Sequence, residues 1–312
     1  MSPSPFARQP YEGIATFGRC RESRDLSAVD VAIVGVPYDG ATSYRSGARF
    51  GPRAIREQSL LLWGYNNALK VAPFEKLRVV DWGDVSVVPV DVLATQQTIV
   101  REVGPIVATG VKVVALGGDH SISLPLLRAQ AAKFGPLAVV HFDAHPDTWN
   151  AEFGDHRYSH GTSFRRAVEE GLIDTTAYLQ IGIRGPTAGP QDYADAIGLG
   201  ARMITLDEAL ARGMTRVTEE VVSVVGSRPT YVTLDIDAVD PAFAPGTGTP
   251  EVGGFTSHQM LQLVRGLASL NIIGADIVEV APAYDQGQIT VILAANLVFE
   301  LLSILALRRT GN

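Results

Sequence analysis

The stretch LAVVHFDAHPD, residues 137–147, begins as an apolar run and ends in a cluster of Asp and His residues. Its apolar part, Leu137–Phe142, is near-continuous rather than alternating, which is typical of a strand covered on both faces of a parallel sheet. Seven other apolar runs share this character: Val31–Val36, Leu77–Val80, Val111–Leu116, Ala177–Ile183, Met203–Thr205, Tyr231–Ile236 and Ile272–Val280. The sequence therefore predicts eight buried strands.

Amphipathic segments with helical spacing lie between these runs. They are Gly51–Leu62, Asp91–Val107, Ser123–Phe134, Thr162–Glu170, Thr215–Val225, Ser257–Leu270 and Ile289–Leu307. Strands that alternate with helices favour a parallel sheet with helices on both faces. We therefore predict an α/β fold of three layers, α/β/α, around a mostly parallel sheet of eight strands.

The composition sets the broad class of protein. The 312 residues are 46% apolar and 19% charged, which is enough for a sizeable core and excludes wholesale disorder. The formal charge of -7, with no Lys/Arg cluster, argues against a nucleic-acid partner. We find no repeat and no low-complexity linker. The prediction is one domain over residues 1–312, in which residues 1–28 form a partly irregular N-terminal extension.

Three features indicate a soluble, cytoplasmic protein. Cys20 is the only cysteine, which fits a reducing compartment. The N-terminal stretch MSPSPFARQP has no apolar region of the kind a secretory signal requires. The long apolar stretch Val291–Leu307 is interrupted by Asn296 and Glu300, so it is expected to be too short and too polar to span a membrane.

Three of the predicted strands end in residues that bind metals. In an open parallel sheet, ligands bind beyond the carboxyl ends of the strands, which meet at one edge. The run VVALGG is followed by Asp119 and His120, LAVVHF by Asp143, and YVTL by Asp235. The candidate metal ligands at this edge are His120, Asp143, His145, Asp147, Asp235 and Asp237.

The spacing and charge of these residues indicate two metal ions. Residues two apart in a strand point to the same face, so Asp235 and Asp237 project together. The four carboxylates would repel one another, and two divalent cations would balance their charge. Oxygen and imidazole ligands without a thiolate favour a hard or borderline ion such as Mn²⁺. A bridged pair of such ions would hold a hydroxide at neutral pH, which predicts a hydrolytic centre.

Each of these residues also has a structural explanation when taken alone. A single Asp at a strand end is usually a helix N-cap, and a single His is usually a hydrogen-bonded packing residue. We prefer the structural role for Asp119, which would brace the turn or cap the following helix. Carboxylates are seldom buried together without partners, so the three strand ends considered together favour the metal site.

The motifs around these residues resemble those of a known family. Gly117–His120 (GGDH), His141–Asp147 (HFDAHPD) and Asp235–Pro250 (DIDAVDPAFAPGTGTP) look like the three signature motifs of the ureohydrolase family, which includes arginase, agmatinase and guanidinobutyrase. The resemblance runs from about Val34 to Leu302. It is strongest to the agmatinase-like branch, which includes proclavaminate amidinohydrolase, and it implies an arginase-like fold.

The resemblance also implies a role for each site residue. One Mn²⁺ would be held by His120, Asp143, Asp147 and Asp235, and the second by Asp143, His145, Asp235 and Asp237, so that Asp143 and Asp235 bridge the two ions. His160, in a His-Gly-Thr motif, matches the histidine that shuttles protons, and Glu279 matches the acid that binds the guanidinium. Further implications are two Mn²⁺ per subunit with Ni²⁺ or Co²⁺ as alternatives, a place in polyamine metabolism, and a homo-oligomer, commonly a trimer or hexamer.

The residues themselves agree with the roles of Glu279 and His160. Glu279 follows a buried strand, on the same sheet edge as the candidate ligands, and a carboxylate left over after charge balance suits a cationic substrate. Its alternative is a capping or surface residue. His160 lies between a polar loop and a helix, where it can titrate near neutrality, although it could simply neighbour the helix N-cap. We interpret His141 as a packing or supporting residue, and His156 and His258 as loop or surface residues.

The hypothesis is metal-assisted hydrolysis of a guanidino compound to urea and an amine. Glu279 would hold the guanidinium, and Asp147 or His160 would protonate the leaving amine. In arginases the motif containing Asp147 continues with a small polar pair, whereas here it continues with Thr148 and Trp149. The indole offers one donor and no acceptor for an ammonium, which disfavours arginine and favours agmatine, whose products are putrescine and urea.

The contacts to the substrate tail remain open between alternatives. They are expected from Trp149–Tyr158 and from the loop Arg184–Tyr193. Arg184 or Arg157 could hold a tail carboxylate, which would favour 4-guanidinobutyrate, 3-guanidinopropionate or a proclavaminate-type substrate. Arg184 could equally be a solvated loop residue. The loops Ser43–Gly51 and Pro241–Gly254 are too long for tight turns, and loops of this kind tend to be functional.

Two further classes of function are kept as alternatives. The chain could be a non-catalytic, metal-binding subunit of a hetero-oligomer, although the presence of every candidate ligand, of His160 and of Glu279 argues against this. It could also be a two-metal hydrolase of another bond, such as a phosphoester. The acidic balance and the lack of a phosphate-cradling loop argue against that activity.

Overall fold

The computed structural model describes residues 9–309, and within them nine strands form one sheet in which every pairing is parallel. The strands are β1 Arg21–Glu22, β2 Val31–Gly35, β3 Val79–Asp84, β4 Lys112–Leu116, β5 Leu137–Phe142, β6 Ile173–Ile183, β7 Arg202–Thr205, β8 Thr230–Asp235 and β9 Ile272–Val278. Their order across the sheet is β1-β3-β2-β4-β9-β8-β5-β6-β7. The prediction of a parallel α/β sheet is confirmed.

The predicted count of eight strands is one too low. The additional strand, β1, has only two residues, both exposed, and it pairs with β3 at the edge of the sheet. Two charged residues form no apolar run, so hydrophobic patterning carries no signal for this strand. Part of the predicted N-terminal extension thus joins the sheet, while residues 1–8 of that extension lie outside the described residues.

Ten α-helices connect the strands in the described part of the chain. They are α1 Gly51–Ser59, α2 Pro73–Lys76, α3 Val92–Ala108, α4 Ser123–Phe134, α5 Ser163–Glu169, α6 Gln191–Gly198, α7 Leu206–Arg212, α8 Met214–Val225, α9 Ser257–Gly266 and α10 Ile289–Arg309. All seven predicted helices are present; α4 has the predicted bounds, and the other six have shifted ends. The short helices α2, α6 and α7 were not predicted, although α7 carries a capping box between Thr205 and Glu208 that marks a helix start.

Alternate residues of the strands pack against helices on opposite faces of the sheet. In β2, Val31 and Ile33 belong to one buried apolar cluster, and Ala32 and Val34 belong to the other. The first cluster includes residues of α1, α7, α8, α9 and α10, and the second includes residues of α3, α4, α5 and α6. The three-layer arrangement is therefore confirmed, because each face of the sheet is covered by its own helices.

The C-terminal helix α10 differs from its sequence-based interpretation. By length and composition, its 21 residues suffice to cross a membrane, so the expectation that this stretch is too short and too polar is wrong. However, 83% of its apolar window is buried inside the protein, where it packs against α1, α2 and α9. Its buried Glu300 accepts hydrogen bonds from Asn66 and Arg265. This is the arrangement of a core helix.

The sheet order brings four motif-bearing strands together at its centre. The neighbours β4, β9, β8 and β5 lead, at their carboxyl ends, into His120, Glu279, Asp235 and Asp143 respectively. Because all four strands are parallel, these ends lie at the same edge of the sheet. The topology therefore gathers residues that are far apart in the sequence.

Candidate metal centre

Three carboxylates surround one ring nitrogen of His120. Nδ1 of this buried histidine lies 3.0 Å from Asp143 Oδ2, 3.0 Å from Asp147 Oδ2 and 3.1 Å from Asp235 Oδ2. It makes no hydrogen bond of acceptable geometry with any of them. The other ring nitrogen, Nε2, lies 2.9 Å from the hydroxyl of Thr233, which fixes the orientation of the ring. One nitrogen and three carboxylate oxygens thus lie close together without a well-formed hydrogen bond between the nitrogen and any of the oxygens.

A second group of ligand atoms adjoins the first. His145 Nδ1 lies 3.1 Å from Asp237 Oδ2 and 3.6 Å from Asp143 Oδ1. Asp143 therefore offers Oδ2 to the first group and Oδ1 to the second, as a bridging ligand would. Asp235 contributes Oδ2 to the first group, while its Oδ1 accepts the backbone N–H of Asp237. The contacts place Asp143 in both groups and Asp235 in the first.

Three carboxyl groups of this cluster have pKa values shifted from the usual value for Asp. Burial raises the pKa of Asp235 well above its usual value, and the charges of Asp237 and Asp143 add to the effect. Burial and the charge of Asp143 likewise raise the pKa of Asp237. Asp143 behaves in the opposite way: burial works to raise its pKa, but His141 and the hydrogen bonds of three histidines hold it well below the usual range.

Two divalent cations fit these residues. Four buried carboxylates in contact cannot all be ionised without nearby positive charge. The donor set contains only imidazole nitrogen and carboxylate oxygen. One group of possible ligands is His120, His141, Asp143 and Asp147, and the other is Asp143, His145 and Asp237. The contact of Asp235 with His120 adds Asp235 to the first group. Nδ1 of His120 is a buried polar atom without a hydrogen-bond partner in the described part of the chain, and a metal ion would take up its lone pair. The donor set suits Mn²⁺ and its neighbours better than a soft ion.

Two residues at this edge of the sheet have a strained backbone. Asp147 has φ of 49° and Glu279 has φ of 61°, the left-handed region that residues other than glycine seldom adopt. Such positions cost about 1–3 kcal/mol each and persist where surrounding contacts impose them. Here the backbone N–H of Glu279 donates to Gly118 O at 2.8 Å, and Phe164 N–H donates to Asp147 O at 3.1 Å. Strained positions of this kind are common at active sites and ligand clamps.

Glu279 and His160 form a pair beside the ligand cluster. Glu279 is buried, and its Oε1 accepts the backbone N–H of His120 at 2.9 Å and lies 2.9 Å from His160 Nδ1. Its second oxygen, Oε2, is buried and has no hydrogen-bond partner among the described residues. Burial works to lower the pKa of His160, but the hydrogen bond and charge of Glu279 outweigh it and raise the value to about 9.

A cavity of about 140 Å³ opens over this cluster. It is lined by Ser43, His145, Asp147, Trp149, Glu152, His160, Pro186, Asp235, Asp237 and Thr249. Four of these residues are acidic, and no Lys or Arg is among the described residues that line it. The long loops noted in the sequence each contribute a lining residue, Ser43 from one and Thr249 from the other.

Three of the other sequence assignments can be compared with the structure. Asp119 accepts the N–H groups of Ser121 and Ala41, so it braces the turn as expected. Burial, followed by the charge of Glu279, raises the pKa of Asp119 to about 7. His141 lies 2.7 Å from Asp143 Oδ2 through Nε2, stacks on a phenylalanine ring, and belongs to the same group of possible ligands as His120, so its supporting role stays a prediction. His156 and His258 are exposed.

The structure does not support a substrate contact for Arg184. Its Nε donates to Val252 O, Nη1 to Gly182 O and Ala238 O, and Nη2 to Asp237 O and Glu251 O, at distances of 2.5–3.4 Å. A guanidinium has five N–H donors, so all are used by backbone carbonyls. Arg184 instead clamps the loop that carries Asp237. Arg157 is exposed and paired with Glu169, whereas Trp149 does line the cavity.

Two residues of the site were missed in the sequence. Ser43 contacts His160 Nε2, and Glu152 lines the cavity while its Oε2 accepts hydrogen bonds from Ser159 and Gly161. Neither residue stands in a motif or follows a strand. The length of the Ser43–Gly51 loop was the only signal for the first, and the position of Glu152 within the expected tail segment was the only signal for the second.

Comparison with known proteins agrees with this geometry. Residues 29–303 match the arginase family. The chain belongs to the arginase family. It is 47% identical to guanidinopropionase of Pseudomonas aeruginosa, over 95% of this chain and 93% of that protein. It is 43% identical to agmatinase of Chromobacterium violaceum, over 97% and 92% of the respective chains.

A solved structure shows the same fold. Proclavaminate amidinohydrolase of Streptomyces clavuligerus superposes with a TM-score of 0.91 at 43% identity, covering 95% of this chain and 98% of that one. The chain is therefore a hydrolase of the arginase family, and its relatives act on guanidino compounds. Arginase-family proteins use a binuclear metal centre, which agrees with the two groups of ligand atoms.

The clamp formed by Arg184 yields a first testable prediction. Arg184→Lys retains one positive charge but has three donors instead of five, so it cannot hold all the carbonyls. We expect the melting temperature to fall by about 2–6 °C and metal affinity to weaken, because the loop bearing Asp237 loosens. The ratio of kcat/KM values between cationic and anionic tails should not change. Arg157→Lys is the control, and a shift in that ratio in Arg184→Lys alone would restore the tail-binding role.

Proposed function

We propose that this protein hydrolyses a guanidino compound to urea and an amine, with agmatine as its preferred substrate. The observation that carries the reaction class is Glu279 Oε2, a buried carboxylate oxygen with no hydrogen-bond partner within residues 9–309, beside a cluster suited to two metal ions. Leaving a buried acceptor unpaired costs about 1–3 kcal/mol, more when it is charged. A planar guanidinium, with its fork of N–H donors, is the natural partner for it.

The residues of the chain divide the chemical work between them. Bound divalent cations would activate a water for attack, which is the chemistry they supply here. Glu279 would hold the guanidinium through Oε2 while its Oε1 stays bonded to the backbone of His120. The amine leaves well only when it is protonated, so an acid must stand near the breaking bond. We assign that role to Asp147 or His160, and the support for it is that both residues line the cavity.

The charge of the cavity supports a cationic tail. If Asp147, Asp235 and Asp237 are neutralised by metals, Glu152 remains as an additional carboxylate on the cavity wall. A tail ammonium would be attracted to Glu152, whereas the carboxylate of guanidinopropionate or guanidinobutyrate would be repelled. Arg184, which could have reversed this preference, is occupied by backbone carbonyls. This is why we favour agmatine, although several relatives are named for anionic substrates, among them guanidinopropionase and guanidinobutyrase of Pseudomonas aeruginosa.

A substrate panel tests the proposal. The purified chain is loaded with Mn²⁺, and in separate samples with Ni²⁺ or Co²⁺, and urea release is measured from agmatine, 4-guanidinobutyrate, 3-guanidinopropionate and arginine. We expect the kcat/KM for agmatine to exceed the others by about tenfold or more, equivalent to about 1.4 kcal/mol. A higher value for a guanidino acid would overturn the agmatine assignment alone. No urea from any compound with any metal would favour the non-catalytic, metal-binding subunit.

Glu152 yields a second prediction. Glu152→Gln removes one negative charge from the cavity wall while keeping an oxygen that can accept hydrogen bonds from Ser159 and Gly161. We expect KM for agmatine to rise about tenfold, since a charge pair near a protein surface is worth a few kcal/mol at most. KM for 4-guanidinobutyrate should fall. The exposed Asp155 on the same loop gives the matched control, Asp155→Asn. Equal KM changes for both substrates would rule out a charge-selective role.

Several expectations from the sequence stay predictions. We propose Mn²⁺ as the native metal on the basis of the nitrogen and oxygen donor set. A homo-oligomer, a cytoplasmic location and a place in polyamine metabolism are proposed from the resemblance to the agmatinase-like branch. Metal analysis of the purified protein and its mass in solution would test the first two of these proposals.

A further inference from the structure

Ser43 makes two contacts with the buried ring of His160. Its backbone N–H donates to His160 Nε2 at 3.0 Å, and its hydroxyl oxygen lies 2.8 Å from the same nitrogen. Ser43 is exposed and lines the cavity, whereas only 8% of His160 is exposed. Ser43 therefore connects a buried, titratable ring with the solvent.

The contacts on the two ring nitrogens define which of them carries the proton. A backbone N–H can only donate, so Nε2 of His160 must accept from Ser43. On the other side, Nδ1 lies 2.9 Å from Glu279 Oε1, and a carboxylate can only accept. Both contacts require the tautomer that has its hydrogen on Nδ1. The two observations are independent, and they agree.

This tautomer limits how His160 can serve as an acid. The hydrogen on Nδ1 is held by Glu279, so the proton that the ring gains and gives up has to be carried by Nε2. Of the two groups that contact Nε2 in the described structure, the backbone N–H of Ser43 does not exchange rapidly enough to relay protons, and the hydroxyl does. The proton that Nε2 gains and gives up therefore passes through the hydroxyl of Ser43.

The loop that carries Ser43 is held firmly against His160. The backbone N–H of His160 donates to Ala41 O at 3.1 Å, and the N–H of Ala41 donates to Asp119 Oδ2 at 2.9 Å. Further along, Asp39 Oδ2 accepts the N–H of Gly47 at 2.6 Å. The contacts of Ser43 thus belong to a loop fixed at several points, as a precise hydrogen-bond geometry requires.

We propose that the hydroxyl of Ser43 relays protons to and from His160 Nε2. An acid from the solvent donates a proton to Ser43 Oγ as the hydroxyl proton passes to His160 Nε2, which makes the ring an imidazolium while Nδ1 keeps its hydrogen on Glu279. The imidazolium then returns the Nε2 proton to Ser43 Oγ as the hydroxyl proton passes to the leaving amine in the cavity. One O–H bond forms as another breaks in each step, so the serine and the neutral ring are both restored. Ser43 is a positioning and relay residue, and the inference rests on the proposed hydrolysis for its kinetic consequence.

The kinetic test uses Ser43→Ala in the metal-loaded, full-length protein. This variant keeps the backbone N–H and loses only the hydroxyl. General acid–base catalysis contributes about 10²–10⁴-fold, and water can replace part of a relay, so we expect kcat to fall about tenfold with KM within about twofold. Added imidazole should restore kcat by donating protons directly, and Ser43→Thr should retain the parent value. The exposed Ser46 of the same loop supplies the control, Ser46→Ala.

A merely structural role for Ser43 would give a different pattern. The proposal is overturned if kcat of Ser43→Ala stays within about twofold of the parent, or if its loss comes with a raised KM and does not respond to imidazole. A readout independent of activity is ¹⁵N NMR of the histidine rings in the full chain without paramagnetic ions. From neutral to alkaline pH, Nδ1 of His160 should keep its proton while Nε2 titrates. Titration at Nδ1 would contradict the assignment even if no guanidino compound were hydrolysed.

Discussion

Asp237→Ala is expected to abolish urea release and to reduce the metal content of the protein. Asp237 Oδ2 lies 3.1 Å from His145 Nδ1, and these two residues belong only to the second group of ligand atoms. Without the carboxylate, that group keeps His145 and one oxygen of the bridging Asp143. Two ligands are too few to hold a divalent ion tightly when a protein site normally supplies three or four.

The size of the effect follows from what the second ion contributes. Metal activation of water and stabilisation of developing charge are worth several kcal/mol, so we expect kcat to fall by about 10³-fold or more. Urea release and metal stoichiometry should be measured on the same preparation. The exposed Asp207 on α7 provides a control, Asp207→Ala, which should keep both values. Full activity with two bound ions in Asp237→Ala would remove Asp237 from the proposed ligand set.

The fold was largely predictable because its strands are apolar on both faces. Leu137–Phe142 and the equivalent runs have no polar side, which only a sheet covered by two layers of helices explains. The exceptions lacked that signal. β1 consists of two exposed charged residues, and α2 is a four-residue turn. Long periodic elements are readable from one sequence, whereas elements this short depend on contacts with the rest of the protein.

The candidate ligands could also be predicted from the sequence, because they follow the apolar strands directly. Asp and His residues immediately after apolar strands must lie at the carboxyl edge of a parallel sheet, whatever the strand order. The sequence could not show that β4, β9, β8 and β5 are neighbours, and this order is what brings His120 within 3.1 Å of Asp235. The sequence thus predicted which residues are candidate ligands, whereas the order of the strands is known only from the structure.

The tail contacts were the least predictable part, because loops and not strands carry them. Arg184 was a reasonable candidate for a substrate carboxylate by charge alone. Its five bonds to backbone carbonyls depend on how residues 237–238 and 251–252 approach one another in space. Glu152 lacks any motif, and only its position on the cavity wall identifies it. Specificity therefore depends on side chains whose direction a sequence does not reveal.

Glu279→Gln is expected to cause a large loss of kcat/KM without any loss of metal. The amide oxygen can take the place of Oε1 and still accept from the backbone of His120 and from His160 Nδ1. The amide NH₂ then stands where Oε2 was and meets the N–H donors of the guanidinium. A donor facing a donor, in a buried site, converts the strongest proposed substrate contact into a repulsive one.

The expected magnitude comes from the loss of a buried charge pair. Removing one partner of a buried, hydrogen-bonded pair costs about 2–5 kcal/mol, which corresponds to a decrease in kcat/KM of about 30- to 5,000-fold. Because the carboxylate also orients the reacting carbon, kcat should fall as well as KM rise. Steady-state kinetics with agmatine and with the best compound of the substrate panel measures both constants.

The controls separate substrate binding from the effects of losing any buried carboxylate. Glu300→Gln removes the other comparable buried glutamate, which accepts hydrogen bonds from Arg265 and Asn66 on the far side of the sheet from α3 and α4. It should lower stability and leave kcat/KM close to that of the parent. Glu279→Gln should instead keep its metal and lose its activity, whereas Asp237→Ala loses both. If Glu279→Gln retained parental kinetics, the guanidinium would have to bind elsewhere, and the reaction class inferred from Glu279 would lose its main structural support.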